Sequence, residues 1–283
     1  MLQYKEIFLG GECNNACLYC SAKHKTSPQS DFPSVDALIN QRETDSIAFH
    51  GGEPTVRRDI FSILQAARRN GYRRIKLFTN GRAFADPHYV RGIFSAGCAL
   101  FEVKLWASTP SLHDHITGVN GSFRETVQGL ENITEFPHEK FASIRIPVCR
   151  DNLADLENTV TTALNFGINR IILSVEDYSI PFGALMPHVA NSLHISIFNR
   201  VWILTEGIPF CVMRGLEPHI GELLSGITGI YERTFQHHSA CVSCIFGEIC
   251  PGVEAGHLAQ FGDRDFAPVT ATKYTEHIRA FHG

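Results

Sequence analysis

The chain of 283 residues has no apolar run approaching the ~18 residues of a membrane-spanning helix. Its first residues, Met-Leu-Gln-Tyr-Lys-Glu, lack the hydrophobic region of a secretory signal. No block or stripe of lysine and arginine occurs and the net charge is −4, so the charge pattern advertises neither nucleic acid nor an anionic surface. With 44% apolar residues and a mean hydropathy near zero, these absences predict a soluble, cytoplasmic, globular protein with one large domain and room for a small appendage. What the chain has in excess is cysteine, nine in all. Seven fall in two groups, 13/17/20 and 211/241/244/250, while Cys98 and Cys149 stand alone and read as small buried apolar residues. An odd total without an export signal argues against a disulfide framework and for metal or cluster chemistry in a reducing compartment.

The first group, Cys13-Asn-Asn-Ala-Cys17-Leu-Tyr19-Cys20, follows an apolar run that ends in Gly10-Gly11. Three thiols in eight residues can converge on one four-iron, four-sulfur cube, leaving one iron without a protein ligand. An open coordination position separates a reactive metal site from a structural one. A zinc knuckle or a chance grouping is the alternative.

Along the chain, apolar β-rich runs alternate with amphipathic stretches. Strands are expected at Tyr4–Leu9, Ile47–His50, Ile75–Phe78, Phe101–Trp106, Phe141–Val148 and Arg170–Val175. Helices are expected at 34–42, 57–70, 88–95, 121–133 and 152–165, with Ser122 and Glu125 forming a capping box. Residues 21 to 31 read as a loop. This alternation predicts a parallel α/β sheet with right-handed crossovers, whose functional groups gather at the C-terminal ends of the strands. Beyond residue 176 the pattern changes: Leu193–Phe198 and Val201–Leu204, separated by Asn199-Arg200, read as a hairpin. A division is expected between a core of residues 1–185 and a cysteine-bearing appendage of 186–283.

Several strand ends carry unusual residues. Gly51-Gly52-Glu53-Pro54 follows the second strand; glycines let the backbone approach a ligand closely, and an ordinary glycine turn is the alternative. Thr79-Asn80-Gly81 follows the third strand, where an Asn-Gly turn is the plain reading. Arg145 lies inside an apolar strand, so it must find an anion, either a bound ligand or a structural carboxylate. Lys104 and Trp106 share one face of the fourth strand with Glu102, where they either line a cavity or pack. His113 and His115 in Leu112-His-Asp-His-Ile-Thr-Gly118 either move protons near neutral pH or belong to a loop that orders the next helix.

Cys-x3-Cys-x2-Cys with Tyr19 before the last cysteine resembles the signature of radical S-adenosylmethionine (SAM) enzymes. Gly51–Pro54 resembles that family's GGEP motif, and Thr79–Gly81 its TNG segment. The resemblance implies an open (β/α)6 partial barrel. It also implies a [4Fe–4S] cluster on Cys13, Cys17 and Cys20 whose free iron is chelated by SAM, which one electron splits to a 5′-deoxyadenosyl radical. By the same resemblance Tyr19, Gly51, Gly52, Glu53, Pro54, Thr79, Asn80, Lys104, Arg145 and Asn152 lie around SAM, with Val175 against its adenine.

Cys211 and Cys241-x2-Cys244-x5-Cys250 supply four thiolates, a full set for a closed auxiliary [4Fe–4S] cluster. They resemble the reduced SPASM, or twitch, appendage of radical SAM enzymes; a four-cysteine zinc site is the alternative. The HD-x-I-x-G…GSF stretch and Ile208–Cys211 resemble peptide-modifying members, including His-Xaa-Ser-type maturases. The expected substrate is a peptide or peptide-like molecule, the alternatives being a sugar or nucleotide, or a non-catalytic metal protein. A separate reductant such as flavodoxin or ferredoxin is implied, and a peptide-recognition partner would be a separate chain.

Overall fold

The structure, a computed structural model, describes residues 4–20, 32–136, 142–225 and 235–272. The loop expected at 21 to 31 lies outside them.

Alternation of β-branched and amphipathic runs yields β1 (Lys5–Phe8), α1 (Phe32–Asn40), β2 (Ser46–His50), α2 (Ile60–Arg69), β3 (Arg74–Thr79) and α3 (Pro87–Ser95). There follow β4 (Leu100–Lys104), α4 (Pro110–Thr117), α5 (Ser122–Thr134), β5 (Ala142–Val148), α6 (Leu156–Leu164), β6 (Arg170–Val175), α7 (Phe182–Asn199) and β7 (Trp202–Glu206). The seven strands stand side by side in chain order, all parallel. This is the partial barrel expected, extended by a seventh strand.

Strand residues alternate between two faces. One row, including Ile7, Phe49, Leu77, Phe101, Val103, Ile144, Ile146, Ile171 and Leu173, is buried in a single core with Ile63, Leu64, Val90, Ile93, Leu130 and Val160 of the helices. The opposite, inner row is polar in the middle of the sheet. In register across it run Phe78, Glu102 and Ser143, then Lys104, Arg145, Ile172 and Leu204, then Pro147, Ser174 and Glu206. The helix-facing row holds the fold together; the inner row is free to carry chemistry.

The expected hairpin at 193–204 is not formed. Leu193–Phe198 is the last part of α7, and Val201–Leu204 overlaps β7, which pairs in parallel with β6. The buried stripe of α7, Phe182, Leu185, Val189, Ser192, Leu193 and Ser196, has helical spacing, but two of its positions are serines that an apolar pattern does not mark. Asn199-Arg200 is the helix stop: Arg200 adopts a left-handed conformation (φ 54°) at the C-cap. The sheet therefore continues past the expected division at 185.

The capping box at Ser122 is also absent. Gly121 is the N-cap, and Asp114 from α4 accepts from the Gly121 and Phe123 amides instead (2.6 and 2.8 Å). Glu125 turns to Arg82. The Leu112–Gly118 stretch, for which one sequence reading was a loop that orders the next helix, lies mostly in α4, with Pro110 at its start and Gly118 at its left-handed end.

After β7 come the short α8 (Gly221–Ser225), the antiparallel pair β8 (Phe235–Gln236) and β9 (Val253–Glu254), and α9 (Ala255–Phe261). Among the described residues no helix is long and apolar enough to cross a membrane.

Candidate active site

The first cysteine loop leaves β1 at the C-terminal edge of the sheet and lies on the turn after β2. Gly52 N–H donates to Gly10 O (2.8 Å) and Glu53 N–H to Glu12 O (2.7 Å). The approach is so close that a Cβ at Gly52 would stand 2.2 Å from Glu12 O. On its other side the loop docks on α4: Ala16 N–H donates to Thr117 O (2.8 Å) and Leu18 N–H to Ile116 O (2.9 Å). From the turn after β3, Asn80 Nδ2 donates to Asn14 Oδ1 (2.7 Å), and Arg82 Nη1 donates to Asn14 O and to Asn15 Oδ1 (2.8 Å). Two strand-end turns and the end of α4 thus hold one loop.

Glu53 ties two of them together. Its buried carboxylate accepts from Thr55 Oγ1 (2.6 Å), Thr55 N–H (3.1 Å), Thr79 Oγ1 (2.7 Å) and Asn80 N–H (2.6 Å). Burial raises its pKa, against these four donors, which favour the charged form. The side chain is engaged as a clip between the GGEP and TNG turns.

Cys13 is exposed, and Cys17 and Cys20 are half-buried. Although Cys13 is exposed as a residue, partial desolvation by the surrounding loop raises its thiol, and burial pushes Cys17 up to about 11; Cys20 raises both further, while Lys104 at the end of β4 opposes. The three sulfurs therefore influence one another and feel the Lys104 ammonium. Asn15 N–H donates to Cys13 Sγ (3.3 Å), a contact that favours thiolate. Among the described residues no three His, Cys, Asp or Glu side chains come close enough to share a single metal ion. A four-iron cube asks less, because each thiolate binds a different iron. Three soft donors, a nearby ammonium and a glycine-lined backbone fit such a cluster. Beneath the loop, Trp106, Ile116 and Cys149 are buried against Cys17, Tyr19 and Leu112. Burial raises the Tyr19 phenol, and its hydrogen bond to Asp151 raises it too.

The remaining expected residues separate into two sets. Lys104 is on the inner row beside the cysteine loop, next in register to Arg145. Arg145 meets structural carboxylates: its Nε donates to Glu102 and its Nη1 to Glu206 Oε2 (2.6 Å). Burial would raise Glu102, but Arg145 and Lys76 outweigh it and hold this carboxylate well below its ordinary range. Asn152 is fully buried and staples the ends of β4 and β5, accepting from Cys149 N–H (2.8 Å) and donating to Trp106 O and Pro147 O (2.7 Å each). Val175 belongs to the helix-packed core, and the inner-row neighbour before it is Ser174. Cys98 and Cys149 are buried. His113 is neutral near physiological pH, since burial lowers its pKa to about 4, and its Nδ1 contacts Ser122 Oγ (3.1 Å). Its motif orders the start of α5 through Asp114, but from within helix α4 rather than from a loop.

Sequence reasoning missed the work of Arg82, Asn14 and Glu206. An arginine directly after an Asn-Gly turn at a strand end was the signal available for Arg82. Glu206 gave none, because β7 was unrecognised.

The second thiol group gathers after β7. The sulfur of Cys211 is raised by burial and by Cys244 and Cys241; Cys250 is pushed up to about 11 by burial, with Cys211 and Cys244 adding to it. Gly252 N–H donates to Cys250 Sγ and Val269 N–H to Cys244 Sγ (3.4 Å each). The Phe210 and Phe246 rings, 5.5 Å apart, pack the two cysteine-bearing segments together.

A parallel partial barrel with three thiols on a loop at its strand ends defines a class of iron–sulfur-bearing α/β proteins. The radical SAM superfamily profile matches residues 7–163, and the chain belongs to that superfamily. It is 26% identical over 189 residues to a probable GTP 3′,8-cyclase of Saccharolobus islandicus, covering 65% of this chain and 60% of that protein. It is 29% identical over 161 residues to an AdoMet-dependent heme synthase of Oleidesulfovibrio alaskensis, covering 55% of this chain and 40% of the relative. The chain thus spans less than two thirds of the length of these curated relatives. In fold it resembles Streptococcus suis SuiB bound to precursor peptide SuiA, with a TM-score of 0.60 at 15% identity, covering 73% of this chain and 49% of SuiB. It also resembles anSMEcpe with bound AdoMet and Kp18Cys peptide, with a TM-score of 0.59 at 14% identity, covering 76% and 67%.

Proposed function

We propose that this chain cleaves SAM reductively and uses the 5′-deoxyadenosyl radical to abstract hydrogen from a peptide or peptide-like substrate. The observation that carries the reading is the three-thiol loop held by the strand-end turns after β2 and β3 and by α4. Cys13, Cys17 and Cys20 would hold a [4Fe–4S] cluster, which supplies the electron and an iron for SAM to chelate. The chain's own task is positioning: Gly51, Gly52 and Pro54 bring backbone close, Glu53 locks that backbone to Thr79 and Asn80, and Lys104 stands beside the sulfurs for the SAM carboxylate. Tyr19 and Trp106 floor the site. The inner row supplies polar walls at Ser143 and Ser174.

Cys211, Cys241, Cys244 and Cys250 would hold the auxiliary cluster. The core is best divided from this appendage after β7 rather than at 185, because β7 completes the sheet. A peptide substrate is favoured by the two structural relatives, SuiB and anSMEcpe, which are bound to peptides. A small-molecule substrate is the second reading, favoured by the names of the sequence relatives, a GTP cyclase and a heme synthase. A flavodoxin or ferredoxin in the cytosol would be the electron donor.

The test is anaerobic incubation of the iron-reconstituted protein with SAM and a reductant, with 5′-deoxyadenosine quantified by mass spectrometry. Wild-type protein is expected to form it and Cys17→Ala is not. Adding peptides encoded beside the gene, or GTP, should raise the yield for one class alone. Equal cleavage by wild type and Cys17→Ala would falsify the site assignment.

A further inference from the structure

Arg82 makes more contacts to the cysteine loop than any motif required. One nitrogen of its guanidinium reaches Asn14 O and Asn15 Oδ1 (2.8 Å), and its Nε donates to Glu125 Oε2 on α5 (2.6 Å). Asn15 in turn donates its N–H to Cys13 Sγ (3.3 Å). The guanidinium therefore lies one residue's contact away from a cluster-bearing sulfur. Its side chain is 13% exposed, whereas the Glu125 side chain is 41% exposed. Water screens the carboxylate of this pair more effectively than the cation, so the pair is not electrically silent toward the loop.

We propose that Arg82 and Glu125 form an electrostatic tuner of the cluster held by Cys13, Cys17 and Cys20; this rests on the radical SAM reading of that loop. Reducing a cluster adds one negative charge, and its potential follows net charge, solvent exposure and hydrogen bonds to sulfur. A water-poor guanidinium at the loop favours the reduced form, and Glu125 tempers it. The pair sets how readily an external donor fills the cluster. A positioning role alone makes a different prediction: loosening either member would disturb the loop in the same sense.

The experiment is an anaerobic redox titration of the iron-loaded protein, followed by electron paramagnetic resonance on the signal that added SAM perturbs. Arg82→Gln should lower the midpoint, reducing the ratio of reduced to oxidised cluster at fixed potential by about tenfold, which corresponds to ~59 mV for one electron. Glu125→Gln should shift it in the opposite direction. Arg82→Lys keeps the charge and loses the fork, so it should stay near wild type in midpoint while releasing iron faster to a chelator. Shifts of the same sign for Arg82→Gln and Glu125→Gln, or no shift in either, overturn the proposal. So does a midpoint for Arg82→Lys equal to that of Arg82→Gln. If Arg82→Gln retains no iron, the sign for Glu125→Gln decides alone. A wild-type protein whose first loop binds no iron would instead defeat the reading of the site itself, and iron analysis of Cys17→Ala beside wild type separates that failure from the other.

Discussion

Arg145 Nη1 on β5 donates to Glu206 Oε2 on β7 at 2.6 Å, bridging over the strand between them. The same guanidinium binds Glu102 on β4, which also takes Lys76 Nζ from β3. Five strands of the inner row are thus spanned by one ionic chain. Removing the central cation leaves the buried Glu102 with Lys76 alone and the half-buried Glu206 without this partner, and breaking a buried ion pair costs about 3–5 kcal/mol. Arg145→Met is expected to lose stability of that order in urea unfolding of the purified protein. A variant with wild-type stability and weakened SAM binding would mean that Arg145 serves the ligand instead.

That pairing marks how far the sequence could be read. An arginine between Ile144 and Ile146 demanded an anion, and this much was legible. One supplier, Glu102, lay in view on β4. The other lay on β7, which local patterning had folded into a hairpin with Leu193–Phe198. Strands β1 to β6 were legible because their apolar runs are continuous and end in glycine or polar turns. α7 was not, because Pro187 and buried Ser192 and Ser196 broke its apolar stripe while Arg200 stopped it without glycine. At the site, cysteine spacing and the GGEP and TNG turns were visible as motifs. The work of Asp114, which caps α5 from α4 and so shapes the elbow that carries the loop, depends on a contact that no spacing rule encodes.

His113 makes that elbow sensitive to acid. Its pKa falls to about 4 because burial penalises the charged ring, although Asp114 opposes the shift. An unfolded histidine titrates near ~6.5, so the unfolded chain takes up a proton that the folded chain refuses. The stabilisation is complete above the unfolded value and is lost as pH falls from there toward the folded one. Between about pH 7.5 and about pH 5 the loss should be about 2 kcal/mol. Denaturant midpoints of wild type and His113→Gln, compared across that range, measure it. Parallel pH profiles for the two proteins would show that His113 is not the titrating group.

Gly52→Ala tests the contact between the GGEP turn and the cysteine loop. The added methyl would meet Glu12 O at 2.2 Å and Gly11 O at 2.5 Å, both backbone atoms. Neither can rotate away, so the loop must lift. The variant is expected to fold but lose the first cluster, carrying about four irons per chain fewer than wild type, and to make no 5′-deoxyadenosine. Gly183→Ala on α7, where an added Cβ meets nothing within 4 Å, serves as the control and should keep both. Full iron content in Gly52→Ala would show that the two turns are not locked together.

The second thiol group can be tested by counting metals. Cys211, Cys244 and Cys250 influence one another electrostatically, and Cys244 and Cys250 each accept a backbone N–H. Amide donors to sulfur favour thiolate whichever metal arrives, so these contacts do not choose between a four-iron cube and a zinc ion. Stoichiometry does. A cube at both sites requires about eight irons and as many sulfides per chain, and Cys244→Ala should leave about four, with SAM cleavage in the absence of substrate still measurable at the first loop. Zinc would read as about four irons and one zinc in wild type, the zinc alone vanishing in Cys244→Ala. The two results are mutually exclusive on one preparation, and the second would remove the auxiliary cluster from the proposed chemistry while leaving the three-thiol loop untouched.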